Sequence, residues 1–206
     1  MVVVSSDATT KTVDGRVRRG ARNRSALVEA LVSLYEEGEL TPTAAQIADR
    51  AGVAVRSVYG HFGDVETLAA EVSHRQWQVH GRLMDPEPAS GALAERIEEL
   101  VARRAELFEA IAPVRRAGML HAHQSKTIAA NLRVLARRLR SQIAQTFAPE
   151  LDNVGRARAA ELLETVDLLL AWESWERLRT LQGCSPTRAR RVLSSALIRL
   201  LDPPRE

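Results

Sequence analysis

A chain of 206 residues, 45% hydrophobic and 27% charged, is long enough for one large or two small globular domains. Its net charge of +3 is modest, and its single cysteine, Cys184, excludes an intrachain disulfide and suits a reducing cytoplasm. No stretch approaches the roughly 18 continuous apolar residues of a membrane span, and Met-Val-Val-Val running into Ser-Ser-Asp does not resemble a signal peptide. Ala, Leu and Arg dominate, aromatics are few, and no β-branched alternating run follows the opening valines, so the composition reads as all-α.

Residues 1–22 hold few large apolar side chains and read as a flexible basic arm. Within residues 1–24, Lys11, Arg16, Arg18, Arg19, Arg22 and Arg24 stand against only Asp7 and Asp14, whereas residues 25–82 carry more acids than bases. Such an arm either adds salt-sensitive phosphate or minor-groove contacts to DNA or serves as a solubilising tail. A first helix spans about residues 25–37, with Leu27, Ala30, Leu31, Leu34 and Tyr35 inward and Gly38 as its stop. Pro42 disfavours a helical Thr41. Thr43 with Gln46 then forms the Thr-x-x-Gln capping box of a second helix, whose buried face is Ile47, Ala48 and Ala51. Gly52 permits a left-handed cap, and Val53 plugs the turn.

The third helix runs about residues 54–61. Val58 and Phe62 face inward, which leaves Ala54, Val55, Arg56, Ser57, Tyr59, Gly60 and His61 to solvent or a partner. A short helix held out by its neighbours and faced with small and polar groups suits the DNA major groove, although a helical hairpin with a solvated face has the same spacing. Arg can make a bidentate contact to guanine O6 and N7, and Val55 can touch a thymine methyl. Arg56 reads either as such a base reader or as a surface Arg paired with a local acid. Gly63-Asp64 closes the helix, and Asp64 caps a fourth, of about residues 64–84, anchored by Leu68, Val72 and Trp77, with Glu66 near its positive end.

The stretch IADRAGVAVRSVYGHFGDVETL, within Ser25 to Leu68, resembles the signature of the TetR family of transcriptional regulators. The shared positions are Ile47-Ala48, Ala51-Gly52-Val53, a small residue, Ser57, an apolar residue, Tyr59, His61-Phe62 and Leu68. The resemblance implies that Thr43, Tyr59 and His61 hold phosphates, and that residues 54–57 (Ala54, Val55, Arg56, Ser57) with Gly60 face bases. It also implies a homodimer formed through the last two helices. Two departures stand out: Arg56 where the family often has Gly, and Val65 where it often has Lys, which puts one phosphate contact in doubt.

Asp85-Pro-Glu-Pro-Ala-Ser-Gly91 reads as a linker, dividing a helix-turn-helix DNA-binding domain at 23–84 from a helical regulatory and dimerisation domain at 85–206. Beyond it, one helix spans about residues 92–112 until Pro113 breaks or kinks it. A short helix reaches His123. Ser125 caps a helix to about residue 147, striped by Ile128, Leu132, Leu135, Leu139 and Ile143. After a loop at 148–153, one long helix runs about 154–181 to Gly183, and Ser185-Pro186 starts the last, to about Leu201. The long helix (Leu162, Leu163, Val166, Leu168, Leu169, Leu170, Trp172, Trp175, Leu178) and the last (Val192, Leu193, Ala196, Leu197, Leu200, Leu201) are apolar most of the way round, so they either fill the monomer core or also bury a face against a second copy.

Leu107, Phe108, Met119, His121, His123, Trp172 and Trp175 mix bulky apolar with polar groups and form a candidate small-molecule pocket, or else an ordinary core. His121 and His123 are two apart, a spacing that points helical side chains away from a common metal, so no metal is expected. No nucleophile elbow, phosphate loop, zinc-protease pair or activated cysteine is found, which argues against an enzyme, and no cofactor is implied. The reading is an all-α cytoplasmic regulator: a homodimeric TetR-like repressor on double-stranded DNA with a palindromic operator, released by a small apolar ligand. The alternative is an all-helical sensor or adaptor without sequence-specific DNA binding.

Overall fold

The computed structural model describes residues 7–85 and 87–202, with side chains from residue 17 onward. Among these residues all regular structure is helical: α1 (Asp7–Glu36), α2 (Ala44–Arg50), α3 (Arg56–Phe62), α4 (Val65–Met84), α5 (Leu93–His121), α6 (Lys126–Thr146), α7 (Ala148–Asp152), α8 (Arg156–Leu169), α9 (Trp172–Glu176), a π-helical segment Arg177–Leu181, and α10 (Pro186–Leu201).

The chain divides into two compact units. One runs to Gln76 and takes in Pro113–Ala129; the other comprises Trp77–Ala112 and the residues from Ala130 on. This differs from a boundary in the 85–91 linker for a physical reason. Met84 and Trp77, on the last turns of α4, pack in the second unit's core, while Val114 and Ala117, on the last turns of α5, pack in the first's. The first core is built on Leu27, Leu31, Ile47, Val58, Leu68 and Val72; the second on Ile97, Leu107, Phe108, Ile143, Phe147, Trp175 and Leu197, all essentially without exposed surface. Each such burial contributes on the order of 1.5–3 kcal/mol.

Four elements differ from the expectation. The basic arm is helical where it is described: residues 7–22 are the first turns of α1. Once the packed turns around Leu27 and Leu31 fix the helix, each further residue adds a hydrogen bond without a new nucleation cost. Residues 1–6, and the side chains of Lys11 and Arg16, lie outside the described residues. Pro113 does not break α5, which runs through it. Proline removes one rung of the helix, and buried Phe108 and Ile111 before it and Ala117 after it hold the turns on both sides. Residues 148–152 form the short helix α7 rather than a loop, with a proline in its first turn. The long helix expected over 154–181 is interrupted: Leu170 leaves helical geometry and Ala171 is extended (φ −72°, ψ 156°). Leu170 and Trp172 would point about 200° apart on a straight helix, and the break lets both be buried. The Ser174 hydroxyl donates to the Leu168 carbonyl at 2.5 Å, satisfying a group the break exposes.

Within the second unit, Arg96 ties α5 to α6 and α7. Its guanidinium donates to Glu150 Oε1 at 2.5 Å and to the Thr146 carbonyl. Arg104 is only 2% exposed and donates to the Leu139 carbonyl at 2.7 Å. Burial pulls its guanidinium down to about 10, so it stays cationic at neutral pH.

Candidate nucleic-acid interface

The α2–α3 pair is positioned by local chemistry read directly from the sequence. Thr43 is the N-cap of α2. Its Oγ1 accepts from the Gln46 amide at 3.3 Å, while its own N–H donates to Gln46 Oε1 at 2.8 Å, a complete capping box. Ala51 caps the other end, and Gly52 at φ +65° takes the left-handed position that reverses the chain. Val53 N donates to the Ala48 carbonyl at 3.0 Å and its side chain packs on the core, closing the turn.

α3 starts at Arg56, two residues later than expected, because Ala54 and Val55 form a tight turn in which Ser57 N donates to the Ala54 carbonyl at 2.8 Å. Val58 and Phe62 are its two buried residues. Val55 is 43% and Tyr59 55% exposed. Ala54, Arg56 and Gly60 are exposed beside them, and Ser57 and His61 are half-buried. A Cβ added at Gly60 would meet nothing within 4 Å. No acid pairs with Arg56 among the described residues.

The residue that the sequence reading missed is Arg24, counted there as arm charge. Its guanidinium lies 4.5 Å from the Phe62 ring centroid, donates to the His61 carbonyl at 3.2 Å and pairs with Glu71 at 2.9 Å. It thus fastens the C-terminal end of α3 to α1 and α4 by satisfying an orphan helix carbonyl. Arg50 plays the matching part for α2, donating to Glu37 at 2.6 Å and to Ser33 at 2.7 Å. The signal that could have found them is the coincidence of Arg with helix ends and acids on neighbouring helices. Asp64 closes the unit as the cap of α4, its Oδ1 accepting from Thr67 N at 2.7 Å. That bond holds its carboxyl below the usual carboxylate range.

The seven candidate pocket residues are divided between the two units. Leu107, Phe108, Trp172 and Trp175 are buried in the second unit, where Phe108 and Trp172 meet edge to face at 5.6 Å. Trp175 Nε1 donates to Glu109 at 2.9 Å, so its polar atom is satisfied within the packing. Met119, His121 and His123 belong to the first unit; Met119 is 42% exposed and His123 is exposed. Pro113 failed to end α5, and this carries these three residues onto the other unit. His121 Nε2 lies 3.2 Å from the Leu40 carbonyl and lines a cavity of about 210 Å³ within the first unit, together with Tyr35, Pro42, Val65, Glu66, Ser125 and others. Burial pushes the Tyr35 hydroxyl up to about 12, so it stays neutral there. Among the described residues no cluster of His, Cys, Asp or Glu is arranged to hold a metal, and no helix is long and apolar enough to cross a membrane.

No protein-family model and no curated protein sequence matches the chain. Solved structures do. A transcriptional regulator of Rhodococcus sp. Rha1 is 19% identical over 86% of this chain and 95% of its own, with a TM-score of 0.63. A TetR-family transcriptional regulator of Streptomyces coelicolor is 18% identical over 86% of this chain and 79% of its own, with a TM-score of 0.69. The fold is that of the TetR-family regulators. NalD, the secondary repressor of the MexAB-OprM multidrug efflux pump in Pseudomonas aeruginosa, shares it at 20% identity over 88% of this chain and 96% of its own, with a TM-score of 0.53. At such identities the likeness is one of TetR architecture, and the face of α3 carries this chain's own residues. Val65, which stands where the TetR signature often has Lys, is half-buried and packs on the first unit's core.

Proposed function

We propose that this chain is a DNA-binding transcriptional regulator, acting in the cytoplasm as a homodimer on a palindromic operator. The observation that carries this reading is α3: two residues anchor it, Arg24 fastens its end, and Val55, Arg56, Tyr59 and Gly60 stand exposed, with no side-chain hydrogen bond or ion pair among the described residues. Arg56 and Val55 read base edges, and Thr43, Tyr59 and His61 contact phosphates and set register. Tyr59 is free to reach outward. Thr43 is exposed, and its hydroxyl also donates to Gln46 at 2.8 Å, so a phosphate there competes with the capping box.

The homodimer uses the apolar surface left on α8 and α10, where Leu168 is 67% exposed and Val192 and Ile198 also face outward. Two copies of α3 spaced by roughly 34–36 Å then enter successive major grooves. The regulator is a repressor, and a small apolar ligand releases it by favouring a conformer whose recognition helices are misspaced. Helix α4, with turns in both units, is the element that couples ligand to DNA.

Selection from a random DNA library with the purified protein, at two salt concentrations, tests the reading. An enriched palindrome is expected. Binding that is salt-sensitive but blind to sequence would overturn it.

A further inference from the structure

The cavity in the first unit is lined by the largely apolar Tyr35, Pro42, Val65, Ala69 and Ile128 and by the polar Thr41, Glu66, His121, Gln124 and Ser125. Part of its polar lining is bonded within the unit. The Ser125 hydroxyl donates to Glu66 Oε1 at 2.5 Å and accepts from the Ile128 amide at 3.1 Å, and the His121 ring is bonded to the Leu40 carbonyl. Glu66 is an exposed residue whose Oε1 accepts from Ser125, and no cation pairs with its carboxylate among the described residues. A carboxylate beside largely apolar lining groups complements an ammonium or amidinium on a compact aromatic or branched aliphatic body. The volume, about 210 Å³, falls below the roughly 300–1,000 Å³ of drug-sized sites and limits that body to about one ring and a short chain.

We propose that this cavity is a binding site for small amphipathic organic cations, with Glu66 as the charge-recognising residue and Ile128 and Tyr35 as the apolar wall. The site is distinct from the buried Phe108–Trp172–Trp175 cluster of the second unit. Pro42 lines it directly before the α2 N-cap Thr43, and Glu66 sits in the first turn of α4. Occupancy therefore acts on the entry to α2, and its effect on operator binding rests on the DNA-reading role proposed above.

Calorimetric titration of the full chain, without DNA, tests the site with phenethylamine as probe and 2-phenylethanol as its neutral counterpart. Phenethylamine is expected to bind at least about tenfold more tightly than the alcohol. Glu66→Gln is expected to erase that difference, and Ile128→Trp and Ala69→Phe to abolish binding of the amine while helical circular dichroism and the melting transition persist. Should one filling variant fail to fold, the other carries the comparison. Equal binding of amine and alcohol, an unchanged amine affinity in Glu66→Gln, binding that survives both filling variants, or no binding of the amine would each overturn the proposal. Because no DNA is present, this outcome is independent of the library selection: a chain without operator specificity can still hold the amine, and an operator reader can still fail to.

Discussion

At the scale of single residues, α3 separates anchoring from display. Arg56 pairs with no acid among the described residues, and under the proposed base-reading role Arg56→Ala is expected to cost about 1–3 kcal/mol on the preferred site and to relax one base position. Competition binding on the selected and a random sequence checks this; equal losses on both would make Arg56 a phosphate contact. Gly60 lies within a helix in ordinary helical space, with nothing near its missing Cβ. Gly60→Ala should raise folding stability by roughly 0.5–1 kcal/mol and, by adding bulk to the face proposed to meet DNA, weaken operator binding. Urea melts and DNA titrations on the same preparation separate the two effects, and a variant that binds DNA unchanged would remove Gly60 from the interface. Arg24→Ala should lower stability by about 1 kcal/mol, since the cation–π contact, the bond to the His61 carbonyl and a half-exposed ion pair go together. Urea melts beside wild type read that loss, which an idle arm residue would not produce.

At the scale of elements, the sequence was most legible where a side chain bonds its own backbone. Thr43 with Gln46, Asp64 with Thr67, Ser125 with Ile128 and Ser185 with Arg188 place their helix starts within a residue or so. It was least legible where tertiary packing overrode local preference. Leu170 and Ala171 are good helix formers, and nothing beside them announces the break that buries both Leu170 and Trp172. Pro113 announces a break that neighbouring packing forbids. The cavity beside Glu66 escaped for the same reason: it assembles from residues near 35, 42, 66, 121 and 128, which only the fold brings together. The Asp64 cap carries a pH signature. Its carboxyl is held below 3.8 because the Thr67 amide bonds the charged form. Its contribution is thus complete above the ordinary aspartate range and disappears as pH falls through the lowered value. The Thr67 amide shift followed by NMR should titrate with a midpoint below 3.8; Asp64→Asn should keep the cap and lose the titration.

At the scale of the whole molecule, the TetR architecture was legible from one segment of about two helices, while assembly was not. Apolar patterning placed α8 and α10 as packed helices but could not separate inward from outward residues until the structure buried Leu162, Val166, Leu193 and Leu197 and left Leu168, Val192 and Ile198 outside. Under the proposed homodimer, Leu168→Glu with Val192→Glu should yield a folded monomer by analytical ultracentrifugation and abolish palindrome binding while leaving weak half-site binding. A variant sedimenting like wild type would place the interface elsewhere. The economy of α3's attachment has a consequence for how such proteins diverge. Core demands fall on Val58 and Phe62 alone, so positions 55, 56, 57 and 59 are open to drift with little penalty in folding. Under the proposed DNA-reading role, lineages or a combinatorial library can therefore vary the target sequence on an unchanged scaffold.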